Sequence, residues 1–445
     1  MPDRLQEYLT QVGEQIRWKR ARPRLLAELE SHLLDQRDDC LSQGMTEEEA
    51  QQEAVRQMGD PVQIGQSLDE VHRPRPQWSL LAAVLVLAGA GAALRLSLTA
   101  GWVRGGSSGA ETITMLCLGA AALVGAYLLD YTWLCRQGIV VGSAGLGVVW
   151  AVGIWMQRHP FEGQWDLLLT AGNVLVFCLP LLFVLWVLPW RGKGGKGLLA
   201  AFLYLGALLV GLLWSFQTVG MVFTAVICSG LLLLLAGKDW FGWGRKRTLV
   251  CILAVAALFL AALGFVFVRY AYARERLALL LDPAQDPVGA GYPWIMLQQA
   301  LQGAQWSGPG MWGAEIPYEV AVPDAGGAYF LVTVVTKLGW LPAVGILAAL
   351  GGLLVWLLVR SLAQKNQVGR LVALAVLGTM LLRLLVGTWT LVLGLPQGWA
   401  SGVPLFFTDG GAVVDLALLG FVLSVFRQET LPMPGISRSR VELSS

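Results

Sequence analysis

The chain has 445 residues, 56% hydrophobic and only 14% charged, where an average soluble domain carries roughly 25% charge. Of the 32 Lys and Arg and 30 Asp and Glu residues, 25 fall in residues 1–78, so a small acidic head (net −5) precedes a long apolar body (net +7). That distribution excludes an ordinary soluble enzyme, and neither part has the dense basic field that nucleic-acid binding needs. The six cysteines form no CxxC pair and the three histidines, His32, His72 and His159, are scattered, which argues against disulfides and against a Cys- or His-based metal site. The first residues are charged and amphipathic instead of a basic n-region leading into an apolar core. A cleavable signal peptide is therefore not expected, and the head is expected to stay in the cytoplasm.

In the head, Leu5, Tyr8, Leu9, Val12 and Ile16 recur at helical spacing, and a second helix is expected from Pro23, carrying Leu25, Leu26, Leu29, Leu33 and Leu34. Thr46 with Glu49 has the spacing of a capping box, so a third helix should run to Met58 and stop at Gly59. Asp60-Pro61 opens a short fourth. These helices define an expected domain over residues 1–72, followed by a stiff linker at 73–78 with the run Arg73-Pro74-Arg75-Pro76. The pattern resembles the helical prefix domain (HAAS) that precedes many bacterial permeases.

The body, 79–427, is expected to be all-α. Ten apolar stretches are long enough to span a roughly 30 Å hydrocarbon core: 79–100, 111–134, 138–156, 167–189, 197–214, 218–236, 248–268, 328–359, 371–393 and 411–427. Ten spans put both termini on one side, with residues 428–445 as a cytoplasmic tail. Loops on the head's side hold eleven Lys and Arg, against five on the other, namely Arg104, Arg158, Arg269, Arg274 and Arg276. The positive-inside rule thus supports a cytoplasmic head and tail in a multi-pass bacterial plasma-membrane protein. Arg95 and Asp130 fall near span ends, where snorkelling to the headgroups is the expected arrangement. Arg383 and Asp415 sit deeper in the last two spans, where they either line a substrate groove or form a structural polar contact; Lys337 is intermediate. Gly192-Lys193-Gly194-Gly195-Lys196-Gly197 has a phosphate-loop look but lacks the Ser or Thr and the preceding strand.

One connection is out of proportion: residues 269–327, between the seventh and eighth spans, expected on the outer face. It contains Glu275 to Tyr292, with Asp282-Pro283-Ala284-Gln285-Asp286-Pro287-Val288-Gly289-Ala290-Gly291-Tyr292 at its heart. That string resembles the Asp-Pro-x-x-Asp-Pro-x-Gly-x-Gly-Tyr stretch of the RodA/FtsW/SpoVE (SEDS) family. Gln298-Gln299, Ser307-Gly308-Pro309-Gly310-Met311-Trp312-Gly313, Pro323, Leu338-Gly339, Gly394-Leu395-Pro396, Gly402-Val403-Pro404 and Gly410-Gly411 follow in family order. The resemblance covers most of residues 79–427.

The resemblance implies a ten-span SEDS fold and an envelope role in cell shape or division. It also implies a protein that polymerises lipid-linked disaccharide-pentapeptide (lipid II) outside the membrane, or flips it, with a class B penicillin-binding protein as partner transpeptidase. Its motif makes Asp282, Asp286, Gly291 and Tyr292 candidate substrate contacts; Arg274 and Arg276, with Arg269, either bind a pyrophosphate as charged donors or form a plain interfacial cluster, and Arg383 is the deeper substrate-binding candidate. Glycosyl transfer needs a base for the acceptor hydroxyl and cationic help, from Arg or a divalent metal, for the departing pyrophosphate; the sequence fixes no cofactor. The family's proposed base is an Asp in a Pro-Glu-x-His-Thr-Asp-Phe motif, which falls on Ala328 here when aligned with Pro323. Asp324, four residues upstream, stands as the substitute base, or as a loop Asp capping the next helix. Elsewhere Thr218 replaces the family's sixth-span acid, Thr336-Lys337 a Glu pair, and Thr408-Asp409 the Ser-Tyr near the end. A catalytically impaired SEDS-like protein, a divergent active one, a non-catalytic scaffold or regulator of the envelope, and a permease suggested by the head all remain open. The last lacks any nucleotide-binding motif in the chain.

Overall fold

The computed structural model describes residues 4–18, 22–72, 76–99, 109–158, 165–214, 218–269, 274–275, 278, 282–289, 291–310, 330–364, 366–393 and 411–428. Its contacts divide the chain into two compact units, residues 1–76 with 426–445, and residues 77–425.

The head holds α1 (Arg4–Gln15), α2 (Arg22–Ser42), α3 (Glu47–Met58) and α4 (Pro61–His72). The spacing of apolar residues on α1 places Leu5, Tyr8 and Val12 on one face, and they close a core with Ile16, Leu25 and Leu33, flanked by Val55, Ile64 and Leu68. The capping box forms as expected: the Thr46 hydroxyl accepts the Glu49 backbone N–H, and Glu49 Oε2 accepts the Thr46 N–H at 3.0 Å. The Thr46 backbone N–H, then its hydroxyl, hold the Glu49 carboxyl below its usual range by bonding the charged form. Asp69, almost buried, accepts the backbone N–H of Arg17 at 2.9 Å and ties the end of α4 to the α1–α2 turn.

The body is a helical bundle: α5 (Trp78–Thr99), α6 (Gly109–Leu128), α7 (Tyr131–Arg136), α8 (Gly138–Arg158), α9 (Trp165–Val187), α10 (Gly194–Trp214), α11 (Thr218–Gly237), α12 (Arg245–Arg269), α13 (Tyr292–Gln302), α14 (Phe330–Leu338), α15 (Trp340–Leu362), α16 (Gln367–Leu393) and α17 (Gly411–Arg427). Among the described residues, seven helices (α5, α6, α8, α10, α11, α15 and α16) are long and apolar enough to cross a membrane. Helices α9, α12 and α17 occupy the other three expected stretches. The chain is thus an all-α, polytopic membrane protein. At its centre α9 packs on α8, α11 and α16. Tyr204 of α10 stacks on Trp186 at 4.8 Å and donates its hydroxyl to Gly142 O of α8 at 2.8 Å, so three helices share one buried polar contact.

Two sequence expectations are corrected. The stretch 111–134 is not one helix, because Asp130 caps α7 by accepting the Thr132 N–H at 3.0 Å and the Thr132 hydroxyl at 2.7 Å. Its carboxylate therefore serves a helix start instead of snorkelling. The stretch 328–359 is also broken, into α14 and α15, at Gly339, whose φ of 96° is open only to a residue without a β-carbon. Two signals mark that break: a stretch of 32 residues exceeds the roughly 20 that a span needs, and Pro342 suits only the first turn of a new helix.

Candidate functional site

The Asp-Pro string folds into two successive side-chain-capped turns. Asp282 Oδ1 accepts the Ala284 N–H at 3.2 Å and Asp286 Oδ1 accepts the Gly289 N–H at 3.0 Å, as a short carboxylate does when it stands in for a backbone acceptor. The Asp286 carbonyl then accepts the Gly291 N–H at 3.0 Å, and Gly289 O accepts the Tyr292 N–H, which launches α13. A β-carbon on Gly289 would collide with the Asp286 carboxylate, so this glycine is required by the turn itself. Four expected substrate-contact residues, Asp282, Asp286, Gly291 and Tyr292, are therefore gathered in one structured element. The two carboxylates are engaged in holding it.

The Gly-rich segment after α13 has a definite task. Gly308 N and Gly310 N donate to Leu338 O (3.0 Å) and Thr336 O (2.9 Å) at the end of α14, while Gln305 O and Trp306 O accept from Trp340 N and Leu341 N (3.0 Å each) at the start of α15. A broken helix leaves orphan carbonyls on one side and orphan N–H groups on the other; this segment satisfies both. A β-carbon on Gly339 would lie 2.8 Å from Trp306 O and Ser307 Cα, so the loop backbone approaches to contact distance.

Inside the bundle, Arg383 Nη1 of α16 donates to Asp415 Oδ1 of α17 at 2.5 Å, with side chains 4% and 2% exposed. The Arg383 guanidinium lies over the Phe177 ring of α9 at 3.5 Å, a cation–π contact that brings a third helix into the cluster. Phe177 carries no sequence signal for this role. Arg383 and Asp415 thus make a buried polar contact between α16 and α17. Arg95 is 3% exposed, so it is buried and does not snorkel. Lys337 Nζ donates to Leu98 O at the end of α5 at 3.1 Å.

Arg274 is exposed and reaches Val268 O at 3.4 Å. Arg276, Asp324 and Ala328 lie outside the described residues, as do Pro323 and the Gly394 to Gly410 motifs. Among the described residues no group of three His, Cys, Asp or Glu is placed to hold a metal ion. The phosphate-loop look of residues 192–197 dissolves, because the Gly192 and Gly194 N–H groups donate to Trp240 O and Phe241 O.

No family model matches the chain. It is 31% identical over 205 residues to the peptidoglycan glycosyltransferase MrdB of Escherichia coli (strain K12), a match covering 44% of this chain and 51% of that protein. The chain thus spans about half the length of the curated relatives it matches first. Among solved structures, a chain from a peptidoglycan synthase complex that coordinates polymerization and crosslinking superposes with a TM-score of 0.56 at 20% identity, covering 80% of this chain and 98% of that one. A variant of the rod shape determining protein RodA of Thermus thermophilus follows at 0.50 and 17%, covering 79% and 97%.

Proposed function

We propose that this chain belongs to the RodA/FtsW/SpoVE (SEDS) family, supported by its likeness to MrdB and FtsW proteins, and that it handles a lipid-linked peptidoglycan precursor in the bacterial plasma membrane, with its head and tail in the cytoplasm and its large loop outside. The observation that carries this reading is the ordered Asp-Pro and Gly-rich motif set, folded into a turn pair and a strap that joins α14 to α15. In the active form of the reading, the acceptor sugar hydroxyl attacks the anomeric carbon of a second lipid II. The bond to pyrophosphate breaks with its electron pair leaving on the polyprenyl pyrophosphate, and a carboxylate takes the hydroxyl proton. Asp324 is the carboxylate in the matching region, and Arg274 and Arg276 are the cations suited to the leaving pyrophosphate. A class B penicillin-binding protein would crosslink the product.

The second reading, a non-catalytic relative that binds the precursor or a partner, is favoured by Ala328 at the family's Asp and by Arg383 being committed to Asp415 within the bundle. Purified protein supplied with lipid II separates the two. The active reading requires glycan polymer that disappears in Asp324→Ala. The second requires no polymer from the native chain, with polymerisation appearing in Ala328→Asp if the scaffold is otherwise intact. In the second reading the head, which resembles a permease prefix, relays regulation to the membrane body.

A further inference from the structure

The turns that join α9 to α10 and α11 to α12 are locked together. Gly192 N and Gly194 N of the first donate to Trp240 O (3.0 Å) and Phe241 O (2.7 Å) of the second, and a β-carbon on Gly195 would meet the Trp243 indole at 3.4 Å. These backbone donors are thus occupied, and the side chains around them are left to meet a ligand. Arg191, Lys193 and Lys196 stand around the first turn and Lys238, Arg245, Lys246 and Arg247 around the second, all exposed. The one acid between residues 188 and 247 is Asp239, whose Oδ1 accepts the Gly244 N–H at 2.9 Å. None of the seven cations forms an ion pair among the described residues. Arg191 and Lys193 lie instead over the Trp240 and Trp190 rings, at 4.8 and 4.6 Å.

Every other polar feature here has the same sign. Helices α10 and α12 both start at this point with no acid in the first turn, and they place Lys196 and Arg245 to Arg247 where the helix dipole disfavours a cation and favours an anion. Desolvation, then the charge of Arg370 on α16, hold the Lys238 ammonium below the usual lysine value. The indole N–H groups of Trp190 and Trp240 are buried and find no acceptor among the described residues. Just beyond the charges the same helices become apolar. Leu199 follows Lys196 and Val250 follows Arg247 by three residues, on a shared face, and both are exposed, 58% and 65%. Three helical residues rise about 4.5 Å, so the surface passes from cationic to apolar within the depth of a lipid headgroup. A soluble anion or an acidic protein complements only the charge, whereas an anion with an apolar tail complements both parts.

We propose that the interlocked turns bind an anionic glycerophospholipid, with its phosphate on the cations of the two turns and its acyl chains on the apolar residues next to them. The candidate spans Gly194–Trp214 and Gly220–Gly237 begin and end at these turns, which sets them at headgroup level, where Trp190, Trp240 and Trp243 also prefer to lie. The apolar contact serves any lipid, while each Lys or Arg near the surface favours an anionic one by about fivefold. The site requires only that α10 and α11 span the bilayer, so it stands or falls apart from any handling of a peptidoglycan precursor.

The test places photoreactive benzoylphenylalanine at Trp243 in the full chain, in nanodiscs of equal phosphatidylglycerol and phosphatidylcholine, and identifies the crosslinked lipid by its mass. Phosphatidylglycerol adducts should exceed phosphatidylcholine adducts by more than about fivefold, the effect of a single cation. Arg191→Gln with Lys193→Gln should cut that ratio at least fivefold, and Arg191→Lys with Lys193→Arg should keep it. Both pairs should leave the unfolding temperature unchanged, because backbone bonds hold the turns. Equal adducts from the two lipids, or an undiminished ratio in the Gln pair, overturns the proposal. So does loss of the adducts in inorganic phosphate but not in chloride of equal ionic strength, which would assign the cations to a soluble anion. Displacement by polyprenyl pyrophosphate at lower concentration than by phosphatidylglycerol, or a protein as the main adduct in intact cells, overturns it as well.

Discussion

The pair between Arg383 and Asp415 shows what a single residue can settle. Both charges are out of reach of water, so removing one leaves the other uncompensated, at a cost of about 3–5 kcal/mol, while replacing both with apolar residues of similar volume is often neutral. Arg383→Met and Asp415→Leu are each expected to lower the unfolding temperature of the detergent-solubilised protein strongly, and the double variant to recover most of the loss. If polymer formation is present in the native chain and survives in the recovered double variant, the pair is purely architectural. Loss of polymer at restored stability would give Arg383 a part in the reaction. The sequence revealed that both charges are intramembrane, because their depth follows from counting residues into an apolar stretch. Their pairing, and Phe177 beneath the guanidinium, depend on how α9, α16 and α17 cross, which no local pattern records.

At the scale of elements, helix starts were the most legible features and breaks inside apolar runs the least. Thr46 and Glu49 announced α3 because a capping box is a short-range arrangement of two side chains and two backbone N–H groups. Thr46→Ala should weaken α3 by about 1 kcal/mol. The Glu49 end of the same box is pH-dependent: its folded pKa lies below the unfolded value, so its contribution is complete above the ordinary Glu range and is lost as pH falls through the folded value. Protection of residues 47–58 against hydrogen exchange, corrected for the intrinsic amide rate at each pH, should therefore fall below about pH 4.5 in the native protein, and Glu49→Gln should remove that pH dependence. The break at Gly339 showed only in the length of its run and in Pro342, because apolar composition reads the same whether or not the backbone turns within it. Gly339→Ala forces an unfavourable φ and a collision with Trp306 O and Ser307 Cα. It should destabilise by more than the ~1 kcal/mol of an ordinary Gly-to-Ala mismatch, seen as faster exchange at both Gly308 and Trp340.

For the whole molecule, the ten apolar stretches and the charge gradient gave the all-α membrane class directly, since length and composition alone decide what can cross a bilayer. The side of each loop is a separate matter, testable with a membrane-impermeant maleimide on intact spheroplasts. With Cys40 and Cys117 replaced, Val288→Cys in the exposed outer-loop turn should be labelled, and Glu48→Cys in the head should react only after permeabilisation. Labelling of Glu48→Cys in intact cells would invert the orientation and move the Asp-Pro turns to the cytoplasm. The strap from Gln305 to Gly310 bonds to the last carbonyls of α14 and the first N–H groups of α15 alike. The strap is therefore not tethered at one point but works as a splint across a joint. Bending at Gly339 must break bonds to the strap, so the angle between the two helices and the position of residues 305–310 are one mechanical variable.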